Sequence, residues 1–270
     1  MNAEEALKSG NLEDALADLQ SRVKKGPADA KLRIFLFQLL VVLGQWERAL
    51  TQLNLAGELD AANLAMVNTY REALQCEAFR TQVFAGQRAP LLFGNPGRWM
   101  ALLVEALRLA AKDRFVHSQE IRAQAFEQAP STGGNIDGEA FAWLSDADQR
   151  LGPVLEAIFN GSYYWVPFQN IRTLVLEAPA DLRDLAWTPA HITWTNEGET
   201  VALIPTRYPG SESSEDNRIR MARRTEWVER DADLFTGLGQ RMLATNQGEF
   251  PLLEVRRIEF DSAPDSSAPI

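Results

Sequence analysis

Cysteine occurs once in this 270-residue chain, at Cys76, and histidine twice, at His117 and His191. One thiol excludes an intrachain disulfide and any thiol-rich metal site, and no His/Cys cluster has zinc-ligand spacing. No G-x-S-x-G elbow is present to seat a serine nucleophile. The stretch GLGQRM (Gly237 to Met242) has two glycines of a phosphate loop but neither the third glycine nor the Lys-Ser/Thr pair, and it leads into a strand pattern rather than a helix. Basic charge is short as well: 27 Lys and Arg against 37 Asp and Glu give a formal charge of −10, which argues against binding to nucleic-acid phosphates. Long apolar runs are missing. The longest, LRIFLFQLLVVLG from Leu32 to Gly44, is 13 residues, well under the roughly 20 that cross a bilayer, and reads as a buried helix. The acidic start MNAEEALKSG lacks the pattern of a secretory signal. These deficits predict a cytoplasmic protein with no membrane contact, no metal and no cofactor.

What the chain does have is repetition. GNLEDALADL from Gly10 and GQWERALTQL from Gly44 agree at five of ten positions and lie 34 residues apart. That period belongs to the tetratricopeptide repeat, a pair of antiparallel helices that stacks on its neighbours. Gly10 and Gly44 fall where the chain turns between paired helices, Ala15 and Ala49 where the helices cross closely, and Leu16, Leu19, Leu50 and Leu53 form a buried stripe. Pro27 closes the first unit. A weaker third unit spans Trp99 to Pro130, and NLAMVNTYREALQCEAFRTQVFAG between them reads as an extra helix without the repeat signature.

Stacked helix pairs curve, and the first helix of each unit lines the concave side. The inward positions are Lys31, Ile34, Gln38, Val41 and Val42 in the second unit and Met100, Leu103 and Leu107 in the third. An apolar lining of this kind suits an amphipathic partner helix. The competing reading is that these side chains bury against the rest of the same chain.

The pattern changes after PSTGGNIDGE (Pro130 to Glu139). One more helix is expected, with Phe141, Leu144, Leu151, Leu155 and Ile158 on one side, a kink at Pro153 and an end at Asn160-Gly161. From Ser162 onward the period is two, in SYYWVPF, IRTLVLEAP, HITWTN, TVALIPTRY, IRMARRTEWV, QRMLAT and LLEVRRIEF, separated by turns such as NEGE and NQGE. DLRDLAW fits a short helical turn. The expected class is α+β: a TPR-like helical solenoid over 1–132, a linker and connecting helix over 133–161, a β-rich small barrel or bent sheet over 162–260, and a disordered tail over 261–270.

Two further surfaces invite a role. RIRMARRTEW places Arg218, Arg220 and Arg224 on one side of a strand, able to grip carboxylates, unless SESSED, in an exposed flexible loop, supplies their partners. Trp165, Arg207, Tyr208, Arg224 and Trp227 form a second candidate partner surface on the β-rich half. Abundant carboxylates with Tyr163, Tyr164, Trp165 and Trp194 keep open a carbohydrate- or small-molecule-active enzyme, although strand aromatics more often pack in cores. Cys76 reads as a buried structural thiol.

The phrases FQNIRTLVLEAPADLRDLAWTPAHITW, ALIPTRYPGSE, TEWVE and GLGQRMLATNQGEFPLLEVRRIEF resemble the ImpE/SciE/TagJ family, accessory proteins of bacterial type VI secretion systems, and the similarity runs from Met1 to Phe260. The resemblance implies a cytoplasmic, non-enzymatic accessory factor. It implies a partner, the small subunit of the contractile sheath engaged through its N-terminal helix, and a link to sheath handling by a ClpV-type AAA+ ATPase. It implies no residue-level binding map.

Overall fold

Helices dominate the chain up to residue 128, and the first three begin at a capping side chain. The computed structural model describes residues 2–261, with α1 (Ala3–Ser9), α2 (Leu12–Lys25), α3 (Ala30–Val42), α4 (Trp46–Leu59), α5 (Leu64–Phe84), a two-residue strand β1 (Leu91–Leu92), α6 (Arg98–Ala110) and α7 (Phe115–Gln128). Asn2 forms a capping box with Glu5, Asn11 caps α2, and Asp29 accepts from the Lys31 and Leu32 amides, filling donors that a helix start leaves open. The repeat is realised as α1–α2 and α3–α4. Gly10 and Gly44 turn between the paired helices at φ 82° and 67°, the left-handed region that favours glycine. Ala15, Leu19, Ala49 and Leu53 are fully buried. The third pair is α6–α7, stapled by the Ser118 hydroxyl donating to the Ala106 carbonyl at 2.7 Å.

The second half is strands: β2 (Gly134–Ile136), β3 (Glu139–Phe141), β4 (Leu144–Asp146), β5 (Val154–Phe159), β6 (Ser162–Pro167), β7 (Ile171–Leu176), β8 (Trp187–Trp194), β9 (Glu199–Pro205), a one-turn α8 (Asn217–Arg220), β10 (Thr225–Arg230), β11 (Leu234–Gly239), β12 (Met242–Thr245), β13 (Glu249–Pro251) and β14 (Arg257–Phe260). The main sheet has nine strands in the order β1-β6-β5-β9-β8-β7-β14-β2-β3, beside a β10–β11 hairpin and a three-stranded β13-β12-β4 sheet. Five strand steps separate β6 from β14, about 24 Å across a flat sheet at the usual spacing. Phe168, at the end of β6, nevertheless stacks on Phe260 of β14 with ring centroids 5.7 Å apart. The sheet therefore curls strongly around its own core. Among the described residues β1 and β3 remain edges, so it is a bent sheet and not a closed barrel.

The helix expected before Gly161 is not formed: residues 133–161 are β2 through β5 and their turns. Asn160 and Gly161, at φ 49° and 69°, make the two-residue turn of the β5–β6 hairpin, pairing Phe159 with Ser162. An Asn-Gly pair is a strong short-range hairpin signal. The helical misreading came from β5 itself, which is buried on both faces and so shows no alternation. Leu155, Ala157 and Phe159 enter the core inside the sheet, while Val154 and Ile158 join a second core shared with the helices. GSESSEDN is likewise no open loop: it forms a 3₁₀ turn over Ser211–Ser213, with Ser211 buried, and then the Asp216 cap of α8. The Ser/Pro tail from residue 262 lies outside the described residues.

A buried ionic network joins the halves. Glu156 of β5 accepts from Arg80 of α5 at 2.6 and 3.0 Å, and also from Arg241 and the Tyr163 hydroxyl. Arg241 continues to Asp146 and to the Pro205 carbonyl at 2.8 Å, while the Tyr208 hydroxyl donates to Asp146 at 3.0 Å. Arg80 also donates to the Arg207 carbonyl at 2.9 Å, and Arg207 donates to the Val42 carbonyl at the end of α3 at 2.8 Å. Burial by itself raises a carboxyl pKa; at Glu156 it is outweighed by Arg80 and Arg241, which hold the group down to about 2. At Asp146 burial prevails over Arg241, with Asp148 adding repulsion, and the carboxyl is pushed up to about 7.

Two outcomes follow from this packing. Gly44→Ala should cost roughly 1–2 kcal/mol for its left-handed backbone, the added methyl also meeting the Glu212 side chain; urea unfolding measures it. Glu156→Gln leaves two buried guanidiniums short of a counter-charge and should cost about 3–5 kcal/mol. A depressed carboxyl contributes its full stability above the unfolded pKa and loses it as the pH falls through the folded value. For Glu156 that window runs from 4.5 down to about 2, and the stability of the Gln variant should fall less steeply across it.

Candidate partner-binding surfaces

The concave face of the repeats is already occupied. Trp187 at the start of β8 inserts among Trp46 and Tyr70, with ring centroids at 6.2 and 5.9 Å, and its indole donates to Glu77 of α5 at 2.9 Å. The 3₁₀ turn over Leu182–Leu185 just before Trp187 sets the Arg183 guanidinium 4.6 Å from the Tyr70 ring centroid. Gln38, Val41, Val42, Met100, Leu103 and Leu107, expected to line an open groove, are buried. The apolar lining was real, but the chain's own second half covers it. Lys31 stays exposed and Ile34 half-buried.

The second candidate surface divides in the same way. Trp165 and Tyr208 are completely buried, and Arg207 is 4% exposed. They belong to the network: the Trp165 indole donates to the Tyr163 hydroxyl at 2.8 Å, and burial lowers Arg207 to about 10. Arg224 and Trp227 are exposed. Trp227 sits on β10, where it pairs with Gly237 across the hairpin, and Phe235 lies on the same face opposite Glu229. Both rings are 37% exposed, so the hairpin presents an aromatic pair. Arg218 and Arg220 are not on a strand but on α8. Their partners come from the chain: Arg218 and Arg224 pair with Asp216 of SESSED at 2.8 and 3.4 Å, and Arg220 with Glu13 of α2 at 3.2 Å.

Side chains of possible catalytic type are dispersed. His117 meets Glu120 at 3.0 Å and His191 meets Glu177 at 3.3 Å, both at the surface and far apart in the fold. Cys76 is buried, its thiol facing the Gly161 carbonyl at 3.7 Å, and burial pushes it up to about 11. Among the described residues no group of three or more His, Cys, Asp or Glu is placed to hold a metal ion, and no helix is long and apolar enough to cross a membrane. Tyr163, Trp165 and Trp194 are core residues. A shallow depression of about 400 Å³ lies on the outer face of β7, β8 and β9 around Val175, His191 and Val201. The buried pair Arg80 and Glu156 escaped sequence reasoning, although a lone Glu inside the apolar run VLEAIF was a legible signal.

Comparison with known proteins agrees with this architecture. Residues 138–259 match the model of the family described as ImpE protein, and residues 6–71 match a tetratricopeptide repeat model. The type VI secretion system accessory component TagJ of Pseudomonas aeruginosa strain PAO1 is 50% identical over 261 residues, covering 97% of this chain and 92% of that protein. The crystal structure of protein VPA1032 from Vibrio parahaemolyticus superposes with a TM-score of 0.87 at 25% identity, covering 96% of this chain and 97% of that one. With half its residues shared with TagJ along nearly the whole of both chains, this chain belongs to the ImpE family.

Proposed function

We propose that the chain is a non-enzymatic accessory component of a bacterial type VI secretion system, acting in the cytoplasm. It binds the N-terminal helix of the small contractile-sheath subunit and is linked to sheath handling by a ClpV-type ATPase. The observation that carries the reading is the 50% identity with TagJ across 97% of the chain. The fold supports a binding role, since its most perturbed carboxylates, Asp146 and Glu156, are sealed in the network and remote from substrates. The β10–β11 hairpin offers what the filled repeat face does not, an exposed pair of rings beside the exposed Arg224. Aromatic and arginine side chains are the commonest anchors of protein interfaces.

A synthetic peptide of that sheath helix should bind one-to-one by calorimetric titration with roughly micromolar affinity, as a small interface allows, while a scrambled peptide gives no heat. Trp227→Ala should weaken binding about tenfold or more with an unchanged circular dichroism spectrum. Val41→Asp places a charge in the core and is expected to unfold the protein; a folded Val41→Asp variant lacking only peptide binding would restore the repeat groove as the site.

A further inference from the structure

Four arginines are buried, and one of them stands apart. Arg80, Arg207 and Arg241 each donate to at least three carboxylate or carbonyl acceptors. Arg122, only 6% exposed, makes no hydrogen bond and no ion pair among the described residues. It projects from the inner face of α7, along with Ser118 and Ala125. The anion acting on it is Asp148, but that carboxylate is taken: Arg150 binds it at 2.9 and 2.5 Å, and the Gly237 amide donates to it at 2.8 Å. A buried charge without a counter-ion is costly, and proteins seldom keep one for structure alone.

The surroundings describe what would satisfy it. Arg122 lines a crevice with Leu103, Leu107, Gln149, Arg150 and Leu234 that is too narrow to admit a water molecule, so a ligand reaches the guanidinium only at its outer edge. Among the described residues the unpartnered side-chain nitrogens fully closed to solvent are Arg183 Nε and Arg220 Nε, so the Arg122 guanidinium still touches solvent at its edge. Leu107, Arg150 and Leu234 also line an adjoining groove of about 260 Å³, walled by Phe84 and Phe115. Beyond Phe115 the rim carries Asp113, Glu229 and Asp231 beside Arg230. That acidic rim disfavours a doubly charged phosphate and favours a single carboxylate arriving with a cation of its own.

We propose that Arg122 seats a carboxylate side chain of a partner peptide lying in the groove between the α6–α7 pair and the β10–β11 hairpin. Apolar side chains of the peptide rest on Phe84, Leu107 and Phe115, and a basic one meets Asp113, Glu229 and Asp231. The inference rests on the proposed function for the identity of the peptide, the sheath-subunit helix, and on the local geometry for the seat. The β10–β11 hairpin forms one wall of this groove through Leu234 and Thr236, on the face opposite to Trp227 and Phe235.

Acetate provides a probe of the seat that needs no partner. In the full-length protein the Arg122 Nε–H resonance should shift saturably with sodium acetate and not with sodium chloride. With the sheath peptide, Arg122→Gln should weaken binding at least tenfold. One acid-to-amide change in the peptide should do the same to wild type and nothing further to the variant. Arg122→Met should keep or raise the thermal midpoint, since it removes an unpaired buried charge; a clear fall would mark Arg122 as structural and overturn the assignment. Fully additive peptide and protein substitutions, or a silent Arg122 resonance, would also overturn it. A peptide that fails to bind wild type while acetate still shifts Arg122 would remove the sheath partner and retain the carboxylate seat.

Discussion

Glu156 is the charge on which the rest of the molecule depends. It sits at the centre of β5 with no solvent exposure, gripped by one arginine from the helical half and one from the β-rich half. Removing three cations and three anions from water (Arg80, Arg207, Arg241 and Glu77, Asp146, Glu156) is expensive. Close geometry and nearly full hydrogen bonding offset that cost only when every member is present. The network therefore demands one relative placement of the two halves, whereas apolar packing by itself would tolerate several. Because Arg207 closes on the last carbonyls of α3, the final turn of that helix is capped by the β half. The solenoid and the sheet form a single body, joined by a shared core as well as by charge.

That union changes what a helical repeat can offer. A free solenoid presents its concave face to partners; here Trp187 and the turn after β7 fill it with the chain's own side chains. What remains outside is the hairpin with Trp227 and Phe235 and the cleft beside the third helix pair, the surfaces we propose for partner recognition. In the proposed function, the rigid frame carries the partner contacts on a two-stranded projection. Loops and hairpins on rigid scaffolds are a common location for binding residues.

Much of the architecture was legible because local rules and the fold agree. The 34-residue period, the glycines at the helix turns and the small alanines at the crossings predicted the first two pairs at the right residues. The period-two segments after Ser162 predicted most strands. Two failures share one cause. β5 is covered on both faces, so its apolar run carries no alternation and reads equally as helix or strand; Asn160-Gly161, read as a helix cap, was the hairpin turn that could have decided between them. Of the eight expected groove positions six are buried, Lys31 is exposed and Ile34 half-buried, and periodicity states only that a face is buried and never by what.

The repeat, the α+β class and the membership in a family are legible in the chain alone, because each is written in residues near one another or in phrases shared along it. Which buried arginines find acceptors follows from how distant segments fold together. Arg80 and Glu156 are 76 positions apart, and Arg241 follows 85 later. Arg122 differs from them in no local feature of the sequence. Its distinction is the lack of an acceptor in the space around it, and that is a property of how distant segments meet.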